Sequence, residues 1–371
     1  MTSRKGWRWG HVAVVALLAI AAAACGDSSD GPGGGSDSAS DEGSTDATEP
    51  AGGGDWDEVL AAAEEEGTLS LYASGGVVDA MVGAFEEAFP EIDVEVLASP
   101  TTELSTRLDA EFQSGNVQAD ALYFALPAWV AEAGAAGRFA EPTGPAAEGF
   151  PEEAIVDNVV SVGGDPYGLF WNTDLVADAP DTVEWDSFVD PAYDGLVAFI
   201  EPVSPIIATL IGFQEQEHPG DAFYSEKIAG LNPQITASGS ANHQAISAGE
   251  AAWTPHGIST FSKALIDEGA PVDFQVPEGP VFSITYTTMA LKDAPHPNAA
   301  LVFVDWLMSE EGQQVLVDNG QVVSYRAAGN PDFRPEGALD VTLDDIITAG
   351  PDDPDPDTAS LVEGILADVR G

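Results

Sequence analysis

"TLSLYASGGVVDAMVGAFEEAFPEIDVEVLASPTTELSTRLDAEFQSGNVQADALYFA" (68–125) changes its hydrophobic period from one segment to the next. Residues 68–76 alternate and then stop at Gly75 and Gly76, which predicts a strand running into a turn. Val77, Met81, Phe85 and Phe89 recur four apart, the stripe of a helix with one buried face. Residues 91–100 are strand-like again. Leu104, Leu108 and Phe112 mark a second helix with a Gly stop at 115, and 119–125 reads as a third strand. Strand, helix, strand, helix, strand with short connections implies parallel strands and an open α/β sheet.

A second unit opens after the Gly- and Pro-rich passage 134–151. It contains "YGLFWNTDLV" (167–176), "GLVAFIEP" (195–202), a helix from Pro205, and "PQITASGSANHQAISAGEAAWTPHG" (233–257). The strand-rich 271–292 leads the chain back. Pro297 starts a helix with Leu301, Val304 and Met308 on one face, and Ser309 re-caps a further one. The folded part is long enough for two lobes. The expected division is 1–24 leader, 25–54 anchor and spacer, 55–158 first part of lobe 1, 159–284 lobe 2, 285–335 return to lobe 1, and 336–371 a C-terminal segment.

At the N-terminus, Arg4, Lys5 and Arg8 precede the apolar run 12–24, about a dozen residues, too short to span a bilayer. Small residues then lead into Cys25, the only cysteine. The arrangement resembles a bacterial lipoprotein signal, with Ala22 where Leu is usual; the resemblance implies that Cys25 carries lipid and becomes the mature N-terminus. Gly26 to Gly54 has almost nothing to bury and reads as a flexible spacer, with a reach of roughly 30 Å.

Asp and Glu number 63 against 11 Lys and Arg, a formal charge of −52. Nucleic acid would be repelled. The acids spread over the whole chain, which fits a solvated coat suited to saline surroundings as well as a cation-binding surface. A single cysteine rules out a disulfide framework and a thiolate zinc site, and the five histidines form no metal-ligand spacing.

"EGTLSLYASGG", "AFEEAFPEIDVEVL", "GLFWNTDLV", "ISAGEAAW" and "PNAALVFVDWLMSEEGQQVLVDNGQVVSYR" together resemble the ferric-ion and phosphonate-binding branch of bacterial extracellular solute-binding proteins, from about Glu66 to Arg326. The resemblance implies the type II periplasmic-binding-protein fold: two α/β lobes, each an open, mainly parallel sheet flanked by helices, with ligand in the cleft between them. It implies a monomeric receptor that delivers solute to an ABC permease driven by its ATPase subunits, on the extracytoplasmic face of the membrane. Ferric binders of this branch resemble one another in an adjacent tyrosine pair after the equivalent of "ISAGEAAW". Here "WTPHGISTFSK" (253–263) stands in its place, and no Tyr occurs between Tyr224 and Tyr286.

Strand ends supply the candidate contacts, because ligands of open α/β sheets sit beyond the carboxyl ends of strands, where helix N-termini present free N–H groups. Three loops fit: Tyr72, Ser74 and Gly75; Thr101 and Thr102; Ser238 and Ser240. Each hydroxyl also reads as a plain N-cap. None of the loops contains Lys or Arg. Asn172 is an amide contact or a turn-former. Tyr72, Trp129, Trp171 and Trp253 are either packing or faces for a cation, and His256 either a ligand contact or a satisfied polar residue. The expected ligand is a small anionic or zwitterionic solute such as a phosphonate; iron(III), an iron chelate, a polyamine or a quaternary ammonium are the alternatives. No bound cofactor or metal is expected. No G-x-S-x-G, H-E-x-x-H or P-loop pattern is present, so no catalytic residue is assigned.

Overall fold

The computed structural model describes residues 56–125, 127–201, 205–217, 223–330, 333–350, 354 and 356–370. The leader, Cys25 and the spacer expected up to residue 54 lie outside the described residues.

The decisive stretch folds as its periods require. After α1 (Trp56–Glu66) come β1 (Thr68–Ala73), α2 (Val78–Ala88), β2 (Asp93–Ala98), α3 (Thr101–Ser114), β3 (Ala121–Phe124) and α4 (Pro127–Ala135). β1 pairs in parallel with β2 on one side and β3 on the other. Leu69, Leu71 and Ala73 of β1 enter one core with Met81 and Phe85 of α2. Tyr72 enters the opposite core, with Leu104 and Leu108 of α3. Both faces of the sheet are therefore covered by helices, the condition under which parallel strands are stable.

The chain continues through β4 (Ile155–Val156), β5 (Val159–Asn172), β6 (Ala198–Ile200), α5 (Pro205–Glu217), β7 (Gln234–Thr236), α6 (Gly239–Ser247), β8 (Trp253–Ile258), α7 (Ser259–Asp267), β9 (Val272–Gln275) and β10 (Val281–Ala290). It closes with α8 (Pro297–Met308), α9 (Glu310–Asp318), β11 (Val323–Ser324), α10 (Tyr325–Gly329), β12 (Ile346–Ile347) and α11 (Pro356–Arg370). The first half of β5 pairs antiparallel with β10 and β11, and its second half with β8 and β9. β10 also pairs with β3. β5 and β10 thus cross from one lobe to the other, and the crossing falls where Pro166 faces Ser283 and Asp165 faces Ile284. Proline at that point has no N–H to give to a ladder.

Lobe 2 has its own parallel pair, β6 with β7, and a parallel bridge joins Val197 to Trp253 of β8. Its larger core gathers Trp171, Trp253, Phe188 and Phe199 with Ile211 of α5, and the smaller one holds Phe170, Ile246 and Val272. Ser309 caps α9, accepting from the Gly312 amide at 3.2 Å, as the sequence indicates. The C-terminal segment, unassigned to a lobe by sequence, is shared: Leu339, Val341 and Leu343 pack on the lobe 1 core, and its last helix packs on lobe 2. β12 adds to the Val281–Phe282 end of β10, and Val362 and Ile365 of α11 enter the larger lobe 2 core.

Candidate functional site

The parallel strands of both lobes end toward the crossing. In lobe 1, Phe124 at the end of β3 pairs with Thr287 of β10, three residues from the crossing position Ile284. In lobe 2, Ile258 at the end of β8 pairs with Tyr167, two residues from Asp165. Helices α2, α3 and α4 start beyond the strand ends of lobe 1, and α5, α6 and α7 beyond those of lobe 2. Their N-termini carry partial positive charge and unpaired N–H groups to this edge.

Polar side chains meet at the crossing itself. Asp165 of β5 is 3 % exposed. Its Oδ2 accepts a hydrogen bond from the Thr260 hydroxyl in the first turn of α7, at 2.9 Å. Burial pushes the carboxyl up from 3.8 to about 7, against the pull of the Thr260 and Ser259 hydroxyls. From lobe 1, the Tyr123 hydroxyl donates to Gln321 Oε1 at 2.6 Å, and the Tyr123 ring stacks on Tyr286 of β10 with centroids 5.4 Å apart. Thr285 and Tyr325 share a hydrogen bond of 2.6 Å. Burial raises the Tyr123, Tyr167 and Tyr286 phenols far above their usual range, and the nearby Asp165 charge adds to each shift.

The Asp165 carboxyl stands against the hydroxyls of Thr260 and Ser259, both from lobe 2. Among the described residues, buried Gln321 Nε2 of lobe 1 has no hydrogen-bond partner. An unmatched buried polar atom costs about 1–3 kcal/mol, which a bound polar molecule removes.

The sequence candidates divide around this group. Ser74, half-buried, donates its amide to Tyr123 O at 2.9 Å. Gly75 has φ 125°, and a Cβ there would lie 2.9 Å from Tyr286 Cε1. Both belong to the same neighbourhood. Ser238 and Ser240 are exposed at the start of α6, their hydroxyls 3.1 Å apart, with Ser238 capping Ala241. A Cβ on Gly239 would sit 2.8 Å from Ile258 Cδ1 and 3.1 Å from Phe261 Cε2, so this loop borders the α7 start. Thr101 and Thr102 open α3 beyond β2, the strand farthest from β10 in lobe 1; Pro100 holds the N-cap position, with no side-chain cap bond.

The remaining candidates do not reach the crossing. The Tyr72 hydroxyl donates to Glu111 at 2.7 Å, with Arg107 over its ring and its phenol pushed up to about 12, chiefly by burial. Trp171 and Trp253 pair across β5 and β8 at the end remote from the crossing, and both rings pack edge-on against Phe188. Asn172 is a turn-former: its amide donates to Ile246 O, and its Oδ1 accepts from the Asp174 and Leu175 amides. His256 is fully buried, accepts from the Ile200 amide at 3.2 Å and contacts the Tyr224 hydroxyl at 2.9 Å. Burial holds it neutral, near 3. Of the expected aromatic faces for a cation, Trp171 and Trp253 are core packing, Tyr72 already lies under Arg107, and half-buried Trp129 donates its Nε1 to Asp109 at 2.9 Å.

Sequence reasoning missed Asp165, Ser259, Thr260, Tyr286, Tyr123 and Gln321. One signal was present: in "VVSVGGDPYGLFWN" (159–172) an acid interrupts an apolar run, and a carboxyl inside a strand covered on both faces requires a partner.

A family model described as bacterial extracellular solute-binding protein matches residues 70–314. No curated protein matches the chain in sequence. Solved structures similar in fold include a substrate binding protein of the ABC transporter from Agrobacterium tumefaciens, 17 % identical over 83 % of this chain and 97 % of that one, TM-score 0.63. Iron-bound HitA from Pseudomonas aeruginosa is 20 % identical over 81 % and 99 %, TM-score 0.56. The spermidine/putrescine protein PotD from Streptococcus pneumoniae is 12 % identical over 82 % and 98 %, TM-score 0.60. These likenesses are of fold. The family match spans well over half of the 371 residues, and the chain belongs to the bacterial extracellular solute-binding proteins.

Proposed function

We propose that this chain is the solute receptor of an ABC importer. Lipid on Cys25 holds the monomer at the extracytoplasmic face of the membrane, and the cleft between its lobes takes a small anionic or zwitterionic solute such as a phosphonate. One observation carries the reading: buried polar side chains of lobe 1 (Tyr123, Gln321), of the crossing (Asp165) and of lobe 2 (Ser259, Thr260) gather in one group. A solute that enters this group must touch both lobes, and binding then favours the closed arrangement. Reversing a 99:1 preference between open and closed takes about 5.5 kcal/mol of differential affinity, more than either lobe's contacts supply alone. The starts of α6 and α7 suit an anionic oxygen group; each helix terminus contributes about 0.3–1 kcal/mol.

Iron(III) is less well served. It needs hard anionic oxygens, and burial opposes ionisation of the Tyr123, Tyr167 and Tyr286 phenols. A quaternary ammonium loses two of the expected aromatic faces, because Trp171 and Trp253 are core residues. Native mass spectrometry of freshly purified protein, followed by thermal-shift assays with phosphonates, polyamines, choline and ferric citrate, tests the reading. Bound phosphonate, or a phosphonate-dependent rise in melting temperature, is expected. Stoichiometric iron, or stabilisation by choline alone, would refute it.

A further inference from the structure

In lobe 2 the starts of α6 and α7 meet at one buried ring. His243 of α6 is 2 % exposed. Its Nδ1 donates to the Gly239 carbonyl, in the first turn of α6, at 2.8 Å. Its Nε2 accepts from the Ile258 amide, at the N-cap of α7, at 3.1 Å. A carbonyl only accepts, so the proton sits on Nδ1 and Nε2 is bare. Nε2 also lies 3.2 Å from the Ser262 hydroxyl, whose own proton goes to the Ile258 carbonyl at 2.8 Å. Burial pushes the ring down from 6.5 to about 4, and it stays neutral; a proton on Nε2 would face the Ile258 N–H donor to donor. Phe170 of β5 and Phe261 of α7 pack on the ring, with centroids 4.5 and 5.5 Å from it. The link continues past α7, because the Thr260 hydroxyl holds Asp165 at the crossing.

We propose that His243 is a positioning residue of the solute site: its ring ties the Ser238–Ser240 loop at the head of α6 to the Ser259–Thr260 turn at the head of α7, so that lobe 2 meets the solute with both as one fixed surface. This rests on the receptor reading above and names what aligns the lobe 2 half of its site. His243 acts through the backbone of each helix and does not itself touch the solute. Through Ile258 and Thr260 it also sets where the Ser238–Ser240 loop stands relative to the crossing. Contacts aligned before the solute arrives spare it the cost of ordering them. An apolar ring at 243 would fill the same space but leave the buried Ile258 amide without an acceptor, and the heads of α6 and α7 would be free to shift apart.

Calorimetric titration with methylphosphonate tests this, on protein dialysed free of bound solute. The set is wild type, His243→Gln, His243→Phe, Ser240→Ala, and the last two combined, each checked for native circular dichroism. His243→Phe should bind about 5- to 30-fold more weakly than wild type, the range of two misplaced neutral hydrogen bonds. His243→Gln restores an acceptor within reach of the Ile258 amide and should bind within about 3-fold of wild type. Ser240→Ala should weaken binding in the wild-type background and add little in His243→Phe, where the loop is already out of place; a residue that merely supports the fold gives no such coupling. The wild-type ring gives an answer even if His243→Phe misfolds. In nuclear magnetic resonance of protein labelled at histidine nitrogen, Nε2 of His243 should read as an unprotonated acceptor, and its signal should move as methylphosphonate saturates the site. Wild-type affinity in His243→Phe, a full Ser240→Ala effect in that background, or an Nε2 signal that stays in place while methylphosphonate binds would overturn the role of His243 and leave the receptor reading standing. If wild type bound no methylphosphonate, the phosphonate reading and the role of His243 would fall together.

Discussion

Replacing Asp165 with Asn in the solute-free protein should stabilise it, by an amount that grows with pH. In the unfolded chain the carboxyl ionises near its ordinary 3.8, and in the folded chain near 7. Below 3.8 both states hold the proton and the group contributes nothing. Between the two values the unfolded chain loses its proton first, so native stability falls as pH rises. Above 7 the full penalty applies. A gap of about three pH units at about 1.4 kcal/mol each sets a ceiling of about 4 kcal/mol. Asn keeps the shape and an acceptor for the Thr260 hydroxyl, but removes the charge that burial disfavours. Urea unfolding followed by tryptophan fluorescence, compared between wild type and variant from about pH 4 to about pH 8, reads the difference, since every other carboxylate titrates in both. The expected curve starts near zero and rises to about 2–4 kcal/mol in favour of the variant. A difference that does not change with pH, or a variant less stable near pH 8, would mean that the Asp165 charge is already compensated, and the argument from its burial would be wrong.

Other outcomes follow from the same geometry. Ser74→Ala and Ser240→Ala, one on each lobe, should each weaken solute binding by about 3- to 10-fold, the range of a lost neutral hydrogen bond, in equilibrium titrations; unchanged affinity for either removes that loop from the site. Gly75→Ala puts a side chain at φ 125° and 2.9 Å from the Tyr286 ring, so it should cost about 1–3 kcal/mol in unfolding experiments and lower affinity by displacing that ring. Trp171→Ala should cost about 3–5 kcal/mol of stability yet leave the affinity of the folded fraction intact; a selective loss of binding would return this tryptophan to the cleft. Cys25→Ser should move the protein from the membrane fraction to the soluble one on fractionation, and continued membrane retention would refute the lipid anchor.

What could be read from the sequence was set by near neighbours. Met81, Phe85, Leu104 and Leu108 announce their helices because a helix repeats its buried face every three to four residues. Ser309 could be recognised as a cap because the amide that it holds is three residues away. Trp171, Trp253 and His256 were ambiguous for the same reason. A residue near a strand end lies either at the ligand edge or at the opposite one, and only the pairing of β5 with β8 shows that Trp171 and Trp253 lie opposite. Asn172 was likewise undecided until its contacts with Ile246, Asp174 and Leu175 were visible.

The crossing was hidden by a different circumstance. Tyr123 and Gln321 are 198 residues apart, and Asp165 and Thr260 are 95 apart; no local pattern links either pair. The feature that sequence did offer was an inconsistency, an acid inside a run otherwise fit for a doubly covered strand. Local rules of this kind are broken where a fold stores cost for use in binding. Asp165 carries that cost here: a charge-bearing group between two lobes, buried and held by the Thr260 and Ser259 hydroxyls of lobe 2. A strand filled with Val or Ile at that position would join the lobes more stably and would have nothing to offer a polar solute.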